Sequence, residues 1–349
     1  MEPAADDGSV ASEPGPPVDV SVLVPVLNEV DGIRDALATM RAQAFPGRVE
    51  FLLIDGRSDD GTREILEELA REDDRIRVLD NPQRGIPQAL NIGLRRARGS
   101  FVARMDAHAL YPAEYLTIGV RRLERGDVEY VTGMLIPHGV DVWSRRIALA
   151  LGSPLGAGGA DFRRRLTKET DTDTGFTGLW RREMLERLGG WREDWAVNED
   201  GELAARLRKA GGRLVYVPEM AARYVPRRSL SALVRQYWRY GQYRAKTCRW
   251  HPESTRRSHL LPPAVTLVVG AALLPVRGIA PIRIAAGVYG MVLVGESIRI
   301  AKRSGAGREA AWLPAVFAAM HLSWGAGFLV GCTRFGFRLE AIGSALRPH

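Results

Sequence analysis

An acid and an imidazole lie two residues apart at the end of an apolar run in the chain. The run is Phe101–Met105, which is typical of a buried strand, and it leads into Asp106 and His108. Side chains two positions apart in an extended chain point to the same side. A carboxylate and an imidazole with this spacing can hold one divalent cation against a phosphate. A strand that ends in an Asp turn explains the same residues, so this segment alone leaves both interpretations open.

Two other predicted strands also end in polar and acidic residues. Asn28 and Glu29 follow the first strand, and Asp55–Asp60 follow the second. The predicted elements are strand Val18–Val26, helix Val30–Ala44, strand Val49–Ile54, a helix around Ile65–Leu69, strand Ile76–Leu79, helix Pro87–Arg98 and strand Ser100–Met105. This alternation predicts an α/β fold with a doubly wound, mostly parallel sheet.

The carboxyl ends of the strands in such a sheet face one crevice. Three acidic strand ends at one crevice favour a metal–nucleotide site over turn chemistry. No Gly-x-Gly-x-x-Gly follows the first strand and the chain has no P-loop, which disfavours dinucleotide oxidoreductases and P-loop phosphotransferases.

The next part of the chain contains a further acid pair and a polar helix face. Glu199 and Asp200 stand directly before a predicted helix, where acids cap the helix and complement its dipole. One of them can instead serve as a general base. The predicted helix Leu230–Tyr243 carries Gln236 and Arg239, which belong either to a solvated face or to the site.

Two more features near this acid pair bear on substrate access. Ser153–Thr174 is rich in Gly, Thr and charge, and we expect it to be a mobile loop over the site. Trp191 and Trp195 fit core packing and an acceptor-sugar platform equally well.

The net charge of +8 is concentrated in one stretch. Between Ala221 and His259 the chain has ten Lys or Arg residues and a single acid, Glu253. Because the chain turns strongly apolar at Leu260, we expect anionic lipid rather than nucleic acid as the partner. The two cysteines form no spaced pair, as expected in a reducing cytosolic setting. Residues 1–18 are acidic and Pro-rich, and we expect a disordered lead-in rather than a signal peptide.

Three apolar segments follow, at Leu260–Val276, Ile279–Ile298 and Ala310–Thr333. About 20 residues are needed to cross the hydrocarbon core, so the third segment is long enough and the first is marginal. The positive-inside rule predicts a hairpin of the first two segments, with Arg299–Arg308 in the cytoplasm. The same rule disfavours export of the basic tail, which a re-entrant or interfacial third segment would avoid. For His321, inside that segment, we favour packing over a functional role.

The ordered set of motifs resembles that of family 2 glycosyltransferases with the GT-A fold, across roughly residues 19–250. Ser21–Glu29 is similar to the opening strand whose end contacts the nucleotide, and Asp55–Thr62 to the segment that holds the base and ribose. Met105–His108 resembles the Asp-x-Asp motif that binds the metal and diphosphate. Asn198–Asp200 resembles the Thr-Glu-Asp motif that supplies the catalytic base.

Further motifs narrow the resemblance. Gln236–Tyr240 is similar to the Gln-x-x-Arg-Trp motif of synthases in this family. The string Arg104–His108 and the tail His321–Phe328 resemble membrane-associated exopolysaccharide enzymes of the succinoglycan glucosyltransferase type. The chain departs from the family pattern where Gly56 and His108 each replace an Asp and Tyr240 replaces a Trp. The imidazole shifts the expected metal preference from Mg²⁺ toward Mn²⁺, and Tyr240 disfavours processive synthesis.

The resemblance implies an inverting glycosyltransferase that moves a sugar from a nucleoside diphosphate sugar, expected to be a UDP-hexose. The acceptor would be lipid-linked or a polysaccharide, in exopolysaccharide or cell-envelope glycan synthesis. Asp200 is the implied general base, with Glu199 as second choice, and Asp106 and His108 would bind a divalent cation, Mn²⁺ or Mg²⁺. The residues implied in binding the nucleotide sugar are Pro25, Asn28, Glu29, Asp55, Arg57, Asp106, Gln236 and Arg239.

The implied organisation is the lead-in at 1–18, a GT-A catalytic domain at 19–222, a basic amphipathic interface region at 223–259 and a hydrophobic membrane-associated region at 260–349. We expect a polyprenyl-diphosphate-linked sugar as acceptor, and a location at the cell membrane with the catalytic domain on the cytoplasmic side. Gly56 and His108 also permit an alternative, a membrane-tethered nucleotide-sugar-binding protein with a decayed catalytic site.

Overall fold

The computed structural model of the chain describes residues 17–158 and 166–346. The predicted lead-in at 1–18 therefore lies outside the described residues, except for its last two positions. The strands are β1 (Val20–Val26), β2 (Val49–Asp55), β3 (Ile76–Asp80), β4 (Phe101–Arg104), β5 (Ala109–Leu110), β6 (Tyr130–Thr132), β7 (Leu135–Pro137), β8 (Thr170–Asp171), β9 (Gly178–Arg181), β10 (Leu214–Tyr216) and β11 (Ala222–Tyr224).

Eight strands form one sheet in the order β3-β2-β1-β4-β9-β6-β10-β8. The pairs among β3, β2, β1 and β4 are parallel, as is the pair β6–β10. The predicted mostly parallel sheet is thus confirmed. Side chains of β1 alternate between the two faces, with Val22 and Val24 in one core and Leu23 in the other. Both faces are buried, which explains why the strand is a nearly continuous apolar run.

The helices are α1 (Ile33–Arg41), α2 (Thr62–Glu72), α3 (Ile86–Arg96), α4 (Tyr115–Glu124), α5 (Val142–Leu151), α6 (Pro154–Ala157), α7 (Arg182–Arg187), α8 (Glu199–Lys209), α9 (Leu230–Trp250), α10 (Arg257–Ala272), α11 (Ala280–Ser304), α12 (Gly307–Ala310), α13 (Leu313–Phe335) and α14 (Glu340–Leu346). Helices α1, α2 and α4 cover one face of the sheet, and α3, α7 and α8 cover the other. This two-sided cover is the doubly wound arrangement.

The structure departs from the sequence predictions at several elements. Strand β9 was not predicted, because Gly178–Arg181 contains a glycine, an arginine and no β-branched residue, yet it lies antiparallel between β4 and β6. Helix α9 continues beyond the predicted Tyr243 to Trp250. Trp191 and Trp195 are 2% and 0% exposed. The acceptor-platform interpretation of both tryptophans is therefore wrong, and both pack in the interior.

The C-terminal apolar segments form helices that lie against one another, and α13 also lies against α9. Within residues 17–158 and 166–346, two helical stretches are long and apolar enough to cross a membrane, Ala280–Ser304 and Gly307–Phe335. The first predicted segment is shorter than expected, since α10 ends at Ala272.

Candidate active site

A cavity of about 770 Å³ opens at the carboxyl ends of β1, β3 and β4. It brings together most of the residues that the sequence singled out, from four separate parts of the chain. The predicted residues that line it are Pro25, Glu29, Asp106, His108, Glu199, Asp200, Gln236 and Arg239. The fold thus brings the strand ends, the start of α8 and one face of α9 together around one cavity.

A buried arginine holds the two acidic motifs together. Arg104 is 1% exposed, and its Nε donates to Asp106 Oδ1 at 2.9 Å while its Nη1 donates to Glu199 Oε1 at 3.0 Å. The guanidinium also lies 5.0 Å from the centre of the Phe176 ring. With Asp200 beside this cluster, three carboxylates share a single buried arginine. When all three are ionised the negative charge exceeds the positive, and such a site favours a cation.

The two acids at the start of α8 differ in their contacts. Glu199 is fixed by Arg104, whereas Asp200 is half-buried and accepts a hydrogen bond from the Gly201 backbone N–H at 2.7 Å. Burial raises the pKa of both carboxyl groups, and Arg104 opposes the rise. A raised pKa makes a carboxylate a better proton acceptor near neutral pH. Asp200 is therefore the freer of the two for proton transfer.

His108 is oriented by a second carboxylate. Its Nδ1 lies 3.3 Å from Glu29 Oε1, and the side chain is 38% exposed. Burial lowers the pKa of His108, but the hydrogen bond with Glu29 and the charge of Asp106 outweigh it and the pKa is raised overall. Because Nδ1 faces Glu29, Nε2 is the ring nitrogen available to a cation, as in the carboxylate–histidine–metal arrangement.

The residues fit a cation that also binds substrate. Among the described residues, no group of three or more His, Cys, Asp or Glu side chains is placed to hold a metal ion. Asp106 and His108 could supply an oxygen and a nitrogen ligand, a set that suits Mn²⁺. The remaining coordination positions would have to come from diphosphate oxygens and water.

Three predicted nucleotide-binding residues, Asn28, Asp55 and Arg57, are not among the described residues that line the cavity. They organise the loops next to it. Asp55 is 1% exposed, and its Oδ1 accepts a hydrogen bond from the Ser58 hydroxyl at 2.6 Å. Asn28 exchanges hydrogen bonds with Asp59, at 2.8 and 3.0 Å, and so joins the loops after β1 and β2. Arg57 adopts a positive φ of 55° and its side chain is largely exposed.

Sequence reasoning missed a fourth strand end. Asn81 and Arg84 follow β3 and line the cavity. The Nδ2 of Asn81 donates to the Gly85 carbonyl at 2.9 Å, and its buried Oδ1 has no hydrogen-bond partner in the part of the chain that the structure describes. The signal was present, because polar residues follow Ile76–Asp80 as they follow the other parallel strands.

The basic stretch also contributes to the cavity. Five of its arginines line the space: Arg227, Arg235, Arg239, Arg244 and Arg256. On the same helix face, Gln236 Nε2 donates to the Tyr240 hydroxyl at 2.9 Å. Gln236 is half-buried and Arg239 is exposed, and both line the cavity, so this face of α9 is open to solvent through the cavity. Part of the positive charge attributed to a lipid surface therefore faces the cavity.

Comparison with known proteins agrees with this arrangement. The sequence model of the family described as "Glycosyl transferase family 2" matches residues 21–189. The succinoglycan biosynthesis protein ExoA of Rhizobium meliloti is 32% identical over 314 residues, which cover 88% of this chain and 93% of that protein. A dolichyl N-acetyl-alpha-D-glucosaminyl phosphate 3-beta-D-2,3-diacetamido-2,3-dideoxy-beta-D-glucuronosyltransferase of Methanococcus voltae is 26% identical, covering 64% of this chain and 71% of that protein.

The fold has a solved counterpart. The mannosyltransferase PcManGT of Pyrobaculum calidifontis, determined in complex with GDP-Man and Mn²⁺, superposes with a TM-score of 0.60 at 23% identity. The superposition covers 92% of this chain and 90% of that one. The shared architecture extends over nearly the whole length of both chains.

Proposed function

The chain belongs to glycosyltransferase family 2, and we propose that it is an inverting enzyme that transfers a hexose from a UDP-hexose to a lipid-linked acceptor in exopolysaccharide or cell-envelope glycan synthesis. The expected acceptor is a polyprenyl-diphosphate-linked sugar. Two relatives support this choice by their names, since one acts in succinoglycan biosynthesis and the other on a dolichyl-phosphate-linked sugar. The catalytic domain is assigned to 19–222, the interface region to 223–259 and the membrane-associated region to 260–349.

The observation that carries the proposal is the placement of Asp200 in the cavity beside the Asp106–Arg104–Glu199 cluster. Asp200 accepts the proton of the acceptor hydroxyl as that oxygen attacks the anomeric carbon of the donor. The bond from the anomeric carbon to the phosphate oxygen breaks, and its electron pair leaves with the nucleoside diphosphate. A single displacement from the opposite face inverts the anomeric centre. Glu199, held by Arg104, orients the cluster.

The leaving diphosphate needs positive charge around it. Asp106 and His108 would hold Mn²⁺ or Mg²⁺, which neutralises charge on the leaving diphosphate. Arg239 lines the same cavity and can donate charge-assisted hydrogen bonds to phosphate oxygens. Asn81 offers polar contacts at the donor end, where Pro25 and Glu29 also lie.

We place the enzyme at the cell membrane with its catalytic domain on the cytoplasmic side. Helix α11 exposes a run of large apolar side chains, among them Ile284, Val288 and Met291, which a lipid environment would cover. The end of α11 and the loop after it carry Lys302, Arg303 and Arg308, in keeping with the positive-inside rule.

The test is transfer by purified protein from UDP-glucose to a polyprenyl-diphosphate-linked glucose in the presence of Mn²⁺. We expect a product of inverted configuration by NMR. Asp200→Asn should reduce transfer about 10²- to 10⁴-fold while donor binding persists, and Glu199→Gln should reduce it less. Full transfer by Asp200→Asn, a retained configuration, or equal use of a free soluble sugar would contradict the proposal.

Metal-dependent hydrolysis of the donor separates this proposal from a binding protein with a decayed site. We expect UDP release by the wild type with Mn²⁺, lost in Asp106→Ala. A wild type that binds UDP-glucose and releases no more UDP than Asp106→Ala would favour the binding protein instead.

A further inference from the structure

The tail motif His321–Phe328 lies on α13, the more buried of the two apolar stretches. The buried share of the apolar stretch that contains α13 is 39%, whereas that of α11 is 17%. Helix α13 has 23 residues, about 34 Å at 1.5 Å per residue, which is enough to cross a bilayer. A spanning helix must leave the catalytic domain at one end. The contacts of α13 therefore decide whether it spans.

The beginning of α13 is fixed to the catalytic domain. Phe317 near its start packs in one cluster with Ile147 of α5. Just before the helix, the Trp312 ring lies 5.6 Å from that of Trp143, and Glu309 forms an ion pair of 2.6 Å with Arg146. In the chain, helix α5 follows β7 and precedes β8, and it therefore belongs to the body that carries the active site.

The end of α13 is fixed to the same body through α9. Gly327 leaves room for close approach, since a Cβ there would lie 2.9 Å from the Trp238 carbonyl carbon. On the other helix, a Cβ at Gly241 would lie 2.7 Å from the Phe328 backbone nitrogen. The Phe335 ring, in the last turn, lies 6.1 Å from that of Tyr243. The beginning of α13 thus contacts the catalytic domain directly, and its end contacts α9, whose Thr247 hydroxyl accepts a hydrogen bond from Asn198 of that domain at 2.8 Å. A helix crossing the bilayer away from the catalytic domain would not be held at both ends in this way.

The middle of α13 reaches the cavity. His321 and Trp324 line it, and His321 Nε2 lies 3.1 Å from the carbonyl oxygen of Leu155, which lines it too. Trp324 is half-buried, and its ring stacks on those of His259, at 6.4 Å, and Phe328, at 5.4 Å. The part of the tryptophan that borders the cavity, beside a polar wall, suits a ligand with an apolar surface and hydroxyl groups.

We propose that α13 is the wall of the cavity that receives the acceptor, and that it lies on the catalytic side of the membrane while α10 and α11 form the hairpin that enters it. Trp324 contacts the acceptor, a lipid-linked saccharide. The assignment of this ligand rests on the proposed function, whereas the position of α13 does not.

The hairpin agrees with this arrangement. Its turn exposes Leu273, Leu274 and Val276, and the Arg283 guanidinium donates to the carbonyl oxygen of Leu274 at 2.9 Å. The last part of α11 returns to the catalytic body, where Ile300 packs in the same cluster as α5 and α13. The hairpin therefore leaves the catalytic body and returns to it on the same side of the membrane.

Labelling of single cysteines with a membrane-impermeant maleimide tests the position of α13. The full chain with Cys248→Ala and Cys332→Ala receives one cysteine at a time, as Glu68→Cys in the catalytic domain, Ser304→Cys before α13 or Arg338→Cys after it. The reagent reaches the cytoplasmic side in inside-out vesicles and the outer side in intact cells. We expect all three cysteines to react in the same one of these two preparations. Reaction of Ser304→Cys and Arg338→Cys from opposite sides would overturn the proposal. A fluorescent protein that matures only in the cytoplasm, fused after residue 346 of the otherwise unaltered chain, gives the same answer without removing the cysteines.

The acceptor contact is tested with Trp324→Leu against Trp312→Leu. Trp312 is on the same stretch but packs on α5, and it is not among the described residues that line the cavity. With polyprenyl-diphosphate-linked glucose as probe, we expect Trp324→Leu to raise the acceptor KM about 3- to 10-fold, with partial recovery in Trp324→Phe and no such rise in Trp312→Leu. Equal acceptor KM values for Trp324→Leu and Trp312→Leu would refute the contact. If wild type uses no lipid-linked acceptor, the proposed function fails, while the labelling pattern still reports where α13 lies.

Discussion

Replacing Gly327 with alanine tests the packing of α13 on α9 with the smallest change available. The added Cβ would lie 2.9 Å from the carbonyl carbon and 3.1 Å from the Cα of Trp238, and closer still to the carbonyl oxygen. Carbon atoms in contact prefer about 3.5–4.0 Å. The two helix backbones must therefore move apart by up to about 1 Å, since no flexible side chain is there to yield.

The matched control is Gly290→Ala on α11, where no atom lies within 4 Å of the added Cβ. Both variants gain the same helix propensity, roughly 0.5–1 kcal/mol for alanine over glycine, so their difference isolates the packing cost. Overpacking costs about 1–3 kcal/mol. At roughly 2–4 °C per kcal/mol for a folding unit of 150–250 residues, the melting temperature of Gly327→Ala should be about 2–12 °C below that of Gly290→Ala.

The assay is thermal unfolding in one detergent, followed by tryptophan fluorescence, with acceptor transfer measured on the same samples. We expect Gly327→Ala to lose transfer more than donor hydrolysis, because the displaced helix carries the acceptor wall. Equal melting temperatures and equal transfer for the two variants would refute the close approach of α9 and α13.

Three further predictions concern the acidic cluster and the metal ligands. Because Asp200 must be deprotonated to act as a base, activity should rise with pH through its pKa, and burial places that acid limb above the value of about 3.9 for a free Asp; a pH profile of kcat/KM checks this. Arg104→Met should move the limb to higher pH, since Arg104 lowers the pKa of Asp200, and should destabilise the fold by about 3–5 kcal/mol in urea unfolding, whereas an unshifted limb would contradict the cluster. Chelation should abolish activity, and Mn²⁺ should restore it better than Mg²⁺. His108→Asp should reduce this preference for Mn²⁺ over Mg²⁺, and an unchanged metal preference in that variant would exclude His108 as a ligand.

The fold was predictable where the sequence pattern is strong. The first four strands are nearly continuous apolar runs, because both faces of the sheet are covered. Single polar residues such as Ser21 and Glu50 interrupt them. Strand β9 gave no such signal, since its four residues include a glycine and an arginine, and its antiparallel pairing with β4 depends on contacts distant in sequence. The end of α9 was missed for a related reason, because Ala245 and Cys248 are buried against residues that come after position 320.

At the site, residue types were easier to predict than their contacts. The motifs indicated Asp106 and Asp200, but no spacing rule shows that one arginine two residues before Asp106 also reaches Glu199 at 3.0 Å. Asn28 and Asp55 carry polar groups at strand ends as expected, yet their side chains are engaged by Asp59 and Ser58 within the loops. A polar residue at a strand end is thus equally suited to holding a loop and to holding a ligand, and only the fold distinguishes the two.

Helix α9 links the packing of α13 to the residues of the cavity. One of its faces presents Gln236, Tyr240 and Arg244 to the cavity, at successive spacings of four residues. The adjacent face presents Gly241 and Ala245 to α13, where backbone approaches backbone. Because these faces share one rigid helix, a shift of α13 cannot be absorbed without moving the cavity residues. The glycines of the tail motif and the arginines of α9 therefore belong to one packed unit, which connects the proposed acceptor wall to the proposed general base.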